Sequence, residues 1–225
     1  MDIILGDLHY PFHHEKALKW ALKFIENNSS IRNVIQIGDL YDQYFASKHR
    51  KDRQLLTPAD EINIGRGMAR KMWADIHKMV PRAKKYQVIG NHDERIPKRV
   101  GELLPEISFL TDKALKKEYY TFPHVKKMES ERDELRIVNT LYIHGYMLGF
   151  DKHVRKLVTS VVCGHSHRGS VAHVQLGGSP KFELNVGHLA DQDALPFNYT
   201  KTKMKDWTLG LGVIDEYGPR FISYA

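Results

Sequence analysis

Four short apolar runs of this chain end in glycine, and each glycine leads directly into Asp, Asn or His. The polar residues follow each run in sequence: Asp7 and His9 follow 3–6, Asp39 and Asp42 follow 34–38, Asn91 and His92 follow 84–90, and His165 and His167 follow 161–164. Such runs are typical of buried strands, and a terminal glycine lets the backbone turn where another group approaches closely. Ligands of open α/β folds bind beyond the carboxyl ends of the strands. The pattern therefore predicts that four strand ends deliver oxygen and nitrogen ligands to one point.

The segments between these runs predict an α/β fold. Residues 15–27 carry a helical apolar stripe between strands predicted at 1–7 and 33–39, which indicates a parallel pair with a crossover helix. Thr57 and Pro58 have the residue types of a helix start, so a second helix is predicted there. Strand-like runs of the second half predict a second, more antiparallel sheet; they lie at 135–139, 141–144, 171–176, 181–186, 209–215 and 220–224.

The composition is that of an ordinary globular protein with a sizeable core, since 42% of the 225 residues are apolar and 27% are charged. We expect one domain over 1–225, with a basic insert at about 44–82 and a small cap at about 95–130. The single cysteine, Cys163, excludes an internal disulfide and a thiolate zinc cluster. No secretory signal precedes the first strand and no apolar run approaches the length of a membrane span. The expected compartment is the cytoplasm, with no membrane partner.

Basic charge is concentrated in one part of the chain. Residues 48–99 contain 14 Lys and Arg but 6 Asp and Glu, a net charge of +8, whereas the whole chain carries +7. Such a block is compatible with a solvated surface or with a binding face for a polyanion such as nucleic acid. Four aromatic residues in this region or shortly before it are candidates to stack on unpaired bases, with core packing the alternative for the last: Tyr41, Tyr44, Phe45 and Trp73.

Seven side chains from the strand ends form a candidate metal centre. They are two carboxylates, one amide and four imidazoles: Asp7, Asp39, Asn91, His9, His144, His165 and His167. Residues two apart on a strand point the same way, which is the spacing of both the Asp-x-His and the His-x-His pair. An oxygen and nitrogen set without thiolates suits manganese, iron, zinc or nickel. Each residue alone is a weak indicator, but chance would have to place all of them at strand ends.

The order of these motifs resembles that of the calcineurin-like metallophosphoesterase superfamily. Its pattern is Asp-x-His, Gly-Asp-x-x-Asp, Gly-Asn-His-Asp/Glu, a lone His and Gly-His-x-His, and all five elements stand here in order from Asp7 to His167. The resemblance implies a four-layer α-β-β-α sandwich with mixed sheets and a two-metal centre between strand ends. It also implies hydrolysis of phosphate esters by a hydroxide that bridges the two ions.

The resemblance further implies a role for each motif residue. One ion would be held by Asp7, His9, Asp39 and His167, and the other by Asp39, Asn91, His144 and His165, with Asp39 bridging. Manganese is the expected metal, with iron, zinc, nickel and magnesium as alternatives. His92 would be the general acid and Asp42 its orienting carboxylate, since a carboxylate partner fixes the tautomer of an imidazole. Arg95 and Arg168 adjoin the motifs and are candidates to bind phosphate or, equally, surface arginines.

Two differences from the protein phosphatases of the superfamily bear on the substrate. Gln-Tyr follows Asp42 where those enzymes have Arg-Gly, and Asp93 follows His92 where they have Glu. Members resembling repair nucleases and small phosphodiesterases share Gly-Asn-His-Asp, so we expect a phosphodiesterase, with action on nucleic acid as one form of it. The alternatives are a phosphomonoesterase acting on nucleotides or phosphoproteins, and a non-catalytic interaction module on the same fold.

One residue near the end of the pattern has no expected role. His188 stands near the position where many relatives have Ser in Asn-x-Gly-Ser. Compact basic relatives are often encoded by bacteriophages, in which case the compartment would be the host cytoplasm.

Overall fold

The chain folds into two mixed β-sheets with α-helices, in a computed structural model that describes residues 1–48, 56–200 and 206–225. The predicted α/β class is confirmed. The strands are β1 (Asp2–Leu5), β2 (Asn33–Gln36), β3 (Lys84–Gln87), β4 (Val125–Lys127), β5 (Leu135–Ile137), β6 (Thr140–Tyr142), β7 (Ser160–Cys163), β8 (Gly169–Leu176), β9 (Ser179–Val186), β10 (Gly210–Asp215) and β11 (Gly218–Ser223). The helices are α1 (Glu15–Glu26), α2 (Pro58–Met79), α3 (Arg95–Leu103), α4 (Ser108–Tyr120) and α5 (Lys152–Leu157), with 3-10 turns at Tyr44–Ala46, Pro105–Ile107 and Leu195–Thr200.

The first sheet has the order β11-β10-β1-β2-β3-β4, and β1 to β4 run parallel. The predicted parallel pair of the first two strands is confirmed, with Ile4 opposite Ile35. The expectation that 209–215 and 220–224 belong to the second sheet is wrong, because β10 pairs antiparallel with β1 and β11 pairs with β10. Strand β10 is apolar on both faces, so it fits beside the fully buried β1.

The second sheet has the order β5-β6-β7-β9-β8. Its inner strands β6, β7 and β9 are parallel, whereas the edge strands β5 and β8 are antiparallel to their neighbours. The sheet is therefore mixed rather than mainly antiparallel. Strands β1, β2 and β3 of the first sheet and β6 and β7 of the second all lead into the predicted polar motifs.

Apolar side chains on both sides of the first sheet hold these elements together. Ile4 and Ile35 face the second sheet and pack in one cluster with Val162 and Leu184. The opposite face of the first sheet packs against α1 and α2 in a larger cluster that includes Trp73. A third cluster joins Leu141, Ile143, Val161 and Cys163 of the second sheet to Leu157 of α5. Burial of this apolar surface supplies the main stabilisation of the fold.

Both predicted long helices begin where the residue types indicate. The Thr57 hydroxyl accepts a hydrogen bond from the backbone N–H of Asp60, and Pro58 is the first helical residue of α2. Such a cap contributes about 1 kcal/mol. Helix α1 begins after His14, whose Nδ1 accepts from the N–H of Ala17.

The two segments predicted as an insert and a cap contain regular structure. The range 44–82 holds a 3-10 turn and α2, while its residues 49–55 lie outside the described part of the chain. The range 95–130 holds α3, α4 and β4, and β4 is an edge strand of the first sheet. Within the described ranges, no helix combines the length and apolar character needed to cross a bilayer.

Candidate metal centre

The strand ends of both sheets bring the seven predicted ligand residues together. Asp7, His9, Asp39, His144 and His167 are buried, and Asn91 and His165 are half-buried. Three of the strands that lead into them are parallel neighbours in the first sheet, and two are parallel neighbours in the second. The carboxyl ends of parallel strands lie at the same sheet edge, so the motifs converge there.

Five of the seven residues have a left-handed backbone. Their φ angles lie between 41° and 65°, at Asp7, His9, Asp39, His165 and His167. The alternation of a strand therefore does not set their side chains, and the sequence argument from residues two apart was wrong on this point. The strands end earlier, at Leu5 for β1 and at Cys163 for β7, and the ligands lie in the loops that follow. Non-glycine residues rarely adopt this conformation, and such strain clusters at functional sites.

Glycines in these loops permit the close approach that the sequence predicts. Gly38 has a φ of 104°, and a Cβ added to it would lie 2.6 Å from His144 Nδ1. A Cβ on Gly90 would collide with the backbone nitrogen and a carboxylate oxygen of Asp39. A larger residue at either position would push the two motifs apart.

The first group of side chains surrounds His9 and His167. Their Nε2 atoms lie 3.1 Å apart, and Asp7 Oδ2 is 3.6 Å from His167 Nε2. Asp39 Oδ2 lies 3.7 Å from His9 Nε2. Four donor atoms therefore face one small region.

The second group surrounds Asn91. Its amide oxygen lies 3.0 Å from His144 Nε2 and 3.0 Å from His165 Nδ1. Asp39 Oδ2 is 3.2 Å from the same nitrogen of His144. Asp39 thus contacts both groups through one carboxylate oxygen.

Neighbouring acceptors orient two of the imidazoles. His144 Nδ1 lies 3.1 Å from the carbonyl oxygen of Ile37, and His9 Nδ1 lies 3.0 Å from Asp42 Oδ2. Each acceptor favours the tautomer that carries its hydrogen on Nδ1. The lone pair of Nε2 then faces the other ligands, which is the arrangement of metal-binding histidines.

The Asp7 carboxylate is the clearest sign that a cation fits here. It is fully buried, and neither of its oxygens has a hydrogen-bond partner among the described residues. A buried carboxylate without a donor is costly unless it is protonated or neutralised by a cation. Burial raises the pKa of Asp7 to about 7. The buried Asp and His groups of this centre could bind metal ions.

The other carboxylate and the imidazoles are electrostatically coupled. Burial would raise the pKa of Asp39, but His144, His92 and His9 together hold it well below its usual value. Burial would lower the pKa of His144, but Asp39 and Asp7 raise it to about 10. Burial lowers the pKa of His165 to about 4, so this imidazole is neutral and able to bind a metal at neutral pH.

His92 and Asp42 lie together at the edge of the first group. His92 Nδ1 is 3.3 Å from Asp42 Oδ2, and His92 Nε2 is 3.9 Å from Asp39 Oδ2. The backbone N–H of His92 donates to Asp39 Oδ1 over 2.8 Å. Burial would raise the pKa of Asp42, but His92 and His9 lower it below its usual value. An ionised carboxylate therefore orients the imidazole.

The two candidate arginines have different surroundings. Arg95 Nη1 lies 3.1 Å from Asp42 Oδ1, and its Nη2 donates to His92 Nε2 over 2.9 Å. Arg168 Nε pairs with Asp206 Oδ2 at 2.8 Å. Arg95 is thus in contact with the predicted acid, whereas the contact found for Arg168 is an ion pair near the surface.

Two residues that support the centre were missed by the sequence argument. The Asp93 carboxylate is buried and accepts N–H groups of Leu40, Tyr41 and Gly90, so it joins the loops after β2 and β3. His188 is fully buried and stacks on His167, with ring centroids 5.0 Å apart. Asp93 follows the motif directly, but the sequence alone does not show where its carboxylate points.

The aromatic residues proposed for base stacking do not form a stacking surface. Tyr41, Tyr44 and Trp73 are buried, at 5%, 6% and 1% exposure, so the stacking interpretation is wrong for the two tyrosines, and core packing, the alternative for Trp73, is confirmed. Tyr41 and Trp73 belong to the apolar cluster of the first sheet, and the Tyr44 ring packs against Phe12. Phe45 is half-buried.

A separate buried polar group joins α5 to strands β7 and β9 of the second sheet. It consists of His153, Cys163, Glu183 and Asn185. Glu183 Oε1 lies 3.4 Å from His153 Nδ1, and Glu183 Oε2 accepts the N–H of Val154. His153 Nε2 accepts the N–H groups of the two residues after Gly145, so this group holds the loop that follows His144. Burial raises the pKa of the Cys163 thiol well above its usual value.

No family model matches the chain, and no curated protein matches it.

Proposed function

We propose that this chain is a metal-dependent phosphoesterase of the calcineurin-like metallophosphoesterase type, acting on phosphodiesters. The position of Asp39 carries the proposal. Its Oδ2 lies 3.7 Å from His9 Nε2, in a loop of the first sheet, and 3.2 Å from His144 Nε2, in a loop of the second. One carboxylate between two groups of ligands is what a bridging ligand of two metal ions requires.

The four-layer α-β-β-α arrangement is part of this proposal. Helices α1 and α2 would form one outer layer and α5 the other, around the two sheets. The three apolar clusters support it, because they lie between α1, α2 and the first sheet, between the sheets, and between the second sheet and α5.

The residues present fit a pair of divalent ions. One ion would be held by Asp7, His9, Asp39 and His167, and the other by Asp39, Asn91, His144 and His165. The mixed oxygen and nitrogen set suits manganese, with iron, zinc, nickel and magnesium as alternatives. Such ions supply Lewis acidity and activate water for attack on phosphorus.

The chain itself would supply the proton for the leaving group. The attacking water would lose one proton to solvent and add to phosphorus, the P–O bond to the leaving group would break, and the leaving oxygen would take a proton from His92 Nε2. His92 Nδ1 faces Asp42 Oδ2 at 3.3 Å, so Nε2 would be presented toward the reacting groups. Arg95 donates to Nε2 in the structure, so this nitrogen carries no proton there. An anionic substrate would attract the guanidinium, and the freed Nε2 could then take up the proton that it passes to the leaving group.

Space beside the centre favours a diester over a monoester. Cavities of about 510 Å³ and about 230 Å³ both include Asn91 in their walls. A diester has a substituent on each side of its phosphate, and each cavity accommodates one. A monoester would occupy only one of the two cavities. A phosphomonoesterase is therefore the second candidate function. A non-catalytic module would not need an imidazole oriented by Asp42 beside the metal ligands.

Hydrolysis of matched phosphate esters with Mn²⁺ tests the proposal. Wild-type protein should cleave bis(p-nitrophenyl) phosphate faster than p-nitrophenyl phosphate. His144→Ala should lose the activity, while His173→Ala, which changes an exposed histidine of β8, should retain it. Faster cleavage of the monoester would indicate a phosphomonoesterase. Absence of hydrolysis with two equivalents of metal bound would contradict the proposal and favour an interaction module.

A further inference from the structure

Two cavities next to the candidate metal centre share Asn91 in their walls. The larger one has His144, His165 and Tyr146 in its wall. The smaller one is lined by Ala46, Ser47, Lys48, Asn91, Arg95, Lys98 and Arg99. Asn91 and Lys98 belong to both walls, so the cavities adjoin each other across these two residues.

The smaller cavity is cationic. Its described wall contains two lysines and two arginines and no carboxylate, while carboxylates outside that wall pair with Arg95 (Asp42) and with Lys98 (Glu94 and Glu131). Lys48 and Arg99 both pair with Glu102, whose side chain is 42% exposed. Ion pairs at such exposed positions are weak because water screens them. A phosphate entering the cavity can therefore replace Glu102 as their partner.

The position of Arg95 relates this cavity to the leaving group. Arg95 is part of the cavity wall, and its Nη2 lies 2.9 Å from His92 Nε2. A general acid must be within hydrogen-bond reach of the leaving oxygen. The half of the substrate that leaves with the proton from His92 is therefore on the side of the cationic cavity.

We infer that the cationic cavity binds a second phosphate, carried by the leaving half of a nucleotide phosphodiester. The larger cavity takes the other half, and Tyr146, which is 54% exposed, offers a ring for its base. The preferred substrate is then a short nucleic-acid strand rather than a diester with one phosphate. The direction of the substrate rests on the proposed function, whereas the phosphate site itself does not.

Binding of thymidine 3′,5′-bisphosphate against thymidine 5′-monophosphate and thymidine 3′-monophosphate tests the site directly. Titrations with Mn²⁺ at one fixed ionic strength give the three affinities. The bisphosphate should bind more tightly than either monophosphate by a factor on the order of 10 to 100, as expected for charge-assisted hydrogen bonds to one more phosphate. Equal affinities, or no binding of any of the three, would overturn the inference.

Matched variants assign the effect to the named residues. The double variant Lys48→Gln, Arg99→Gln should abolish the preference for the bisphosphate. Glu102→Gln should increase it, because it frees the same two cations. Lys19→Gln with Lys23→Gln is the control, since these exposed lysines of α1 also pair with glutamates and the charge change is equal. A preference that survives in the Lys48 and Arg99 variant would overturn the inference.

Dinucleotides separate this inference from the proposed function. Thymidylyl-thymidine should be cleaved faster when a terminal phosphate is added to the half that leaves with a hydroxyl group, and not when it is added to the other half. No cleavage of any dinucleotide, together with the bisphosphate preference, would refute the phosphoesterase proposal and leave the phosphate site standing. Equal acceleration from either end would refute the assignment to the leaving half.

Discussion

His9 and His92 share one carboxylate oxygen, since their Nδ1 atoms lie 3.0 and 3.3 Å from Asp42 Oδ2. The two rings meet edge to face, with centroids 4.4 Å apart. A residue of the candidate metal centre and the proposed acid are therefore oriented by the same group. Substitution of Asp42 should disturb metal binding and proton transfer together.

Asp42→Asn is expected to weaken metal binding and lower turnover, each by roughly 10- to 100-fold, as for other groups that orient metal ligands. The amide oxygen has no negative charge and cannot serve both imidazoles equally well. Calorimetric titration with Mn²⁺ and steady-state kinetics measure the two effects. Asp75→Asn is the control, because Asp75 forms a surface ion pair with Lys71. Unchanged metal affinity in Asp42→Asn would show that His9 does not depend on this carboxylate.

His92→Ala is expected to keep its metal and to lose turnover by roughly 10²- to 10⁴-fold, the usual range for a general acid. The loss should be smaller for a nitrophenyl ester than for an alkyl ester, because nitrophenolate needs little help from a proton. Elemental analysis checks the metal content. A ring nitrogen of His92 also lies within 4.8 Å of potential metal-binding atoms of His9 and Asp39. Loss of one metal equivalent in the variant would therefore make His92 a ligand instead.

Asp39→Asn is expected to reduce metal content at both positions, whereas Asp7→Asn should affect mainly one. The reason is that Asp39 Oδ2 faces an imidazole Nε2 of both groups, whereas Asp7 faces only that of His167. Asp7 Oδ1 also lies 3.6 Å from His144, but from its Nδ1, which faces the Ile37 carbonyl. Elemental analysis of both purified proteins distinguishes the cases. Two full equivalents retained in Asp39→Asn, with activity intact, would exclude a bridging role.

Glu61 is expected to make folding stability depend on pH. Its carboxylate accepts the N–H of Tyr44, and burial raises its pKa from 4.5 to about 7. Between these values the folded state keeps a proton that the unfolded state has lost. The stabilisation is therefore fully present below pH 4.5 and disappears as the pH rises through 7, and the difference is about 2–3 kcal/mol.

Chemical unfolding of wild type and Glu61→Gln from pH 4.5 to 8 measures this difference. The free energy of unfolding of wild type should fall relative to that of the variant across this range. Parallel curves would show that Glu61 does not titrate in it. The comparison removes the contribution of the other carboxylates, which both proteins share.

The sequence places the five motifs correctly because apolar strand runs and terminal glycines are local signals. The conformation of the loops is not local. His9 donates its backbone N–H to the Asp39 carbonyl, and Tyr10 donates to Leu40, so the loops after β1 and β2 pair with each other. Such contacts between distant residues decide the left-handed φ angles. Residue types alone do not show them.

The pairing of β10 with β1 and the burial of Tyr41 and Tyr44 also depend on contacts between residues that are distant in sequence. The run 209–215 predicts a strand correctly, but its apolar pattern fits either sheet. In the structure β10 pairs with the edge of β1 that β2 does not occupy. Tyr41 lies within a predicted motif and Tyr44 follows it, and both contact α2: Tyr41 approaches Gly65, and the backbone N–H of Tyr44 donates to Glu61. The apolar periodicity of the sequence predicts where strands and helices form, but it does not predict which of them pack against each other.

At Asp7, one of the residues of the candidate centre with a left-handed backbone, a change that favours thermal stability would weaken metal binding. For an L-residue this conformation costs roughly 1–2 kcal/mol, less for Asp and Asn, and glycine avoids the cost. Glycine at Asp7 would relax the backbone and remove a buried carboxylate that has no hydrogen-bond partner among the described residues, but it would also remove a candidate ligand. A library of random variants screened only for survival on heating would therefore accumulate glycine at this position. A screen that requires a bound ion would keep Asp7.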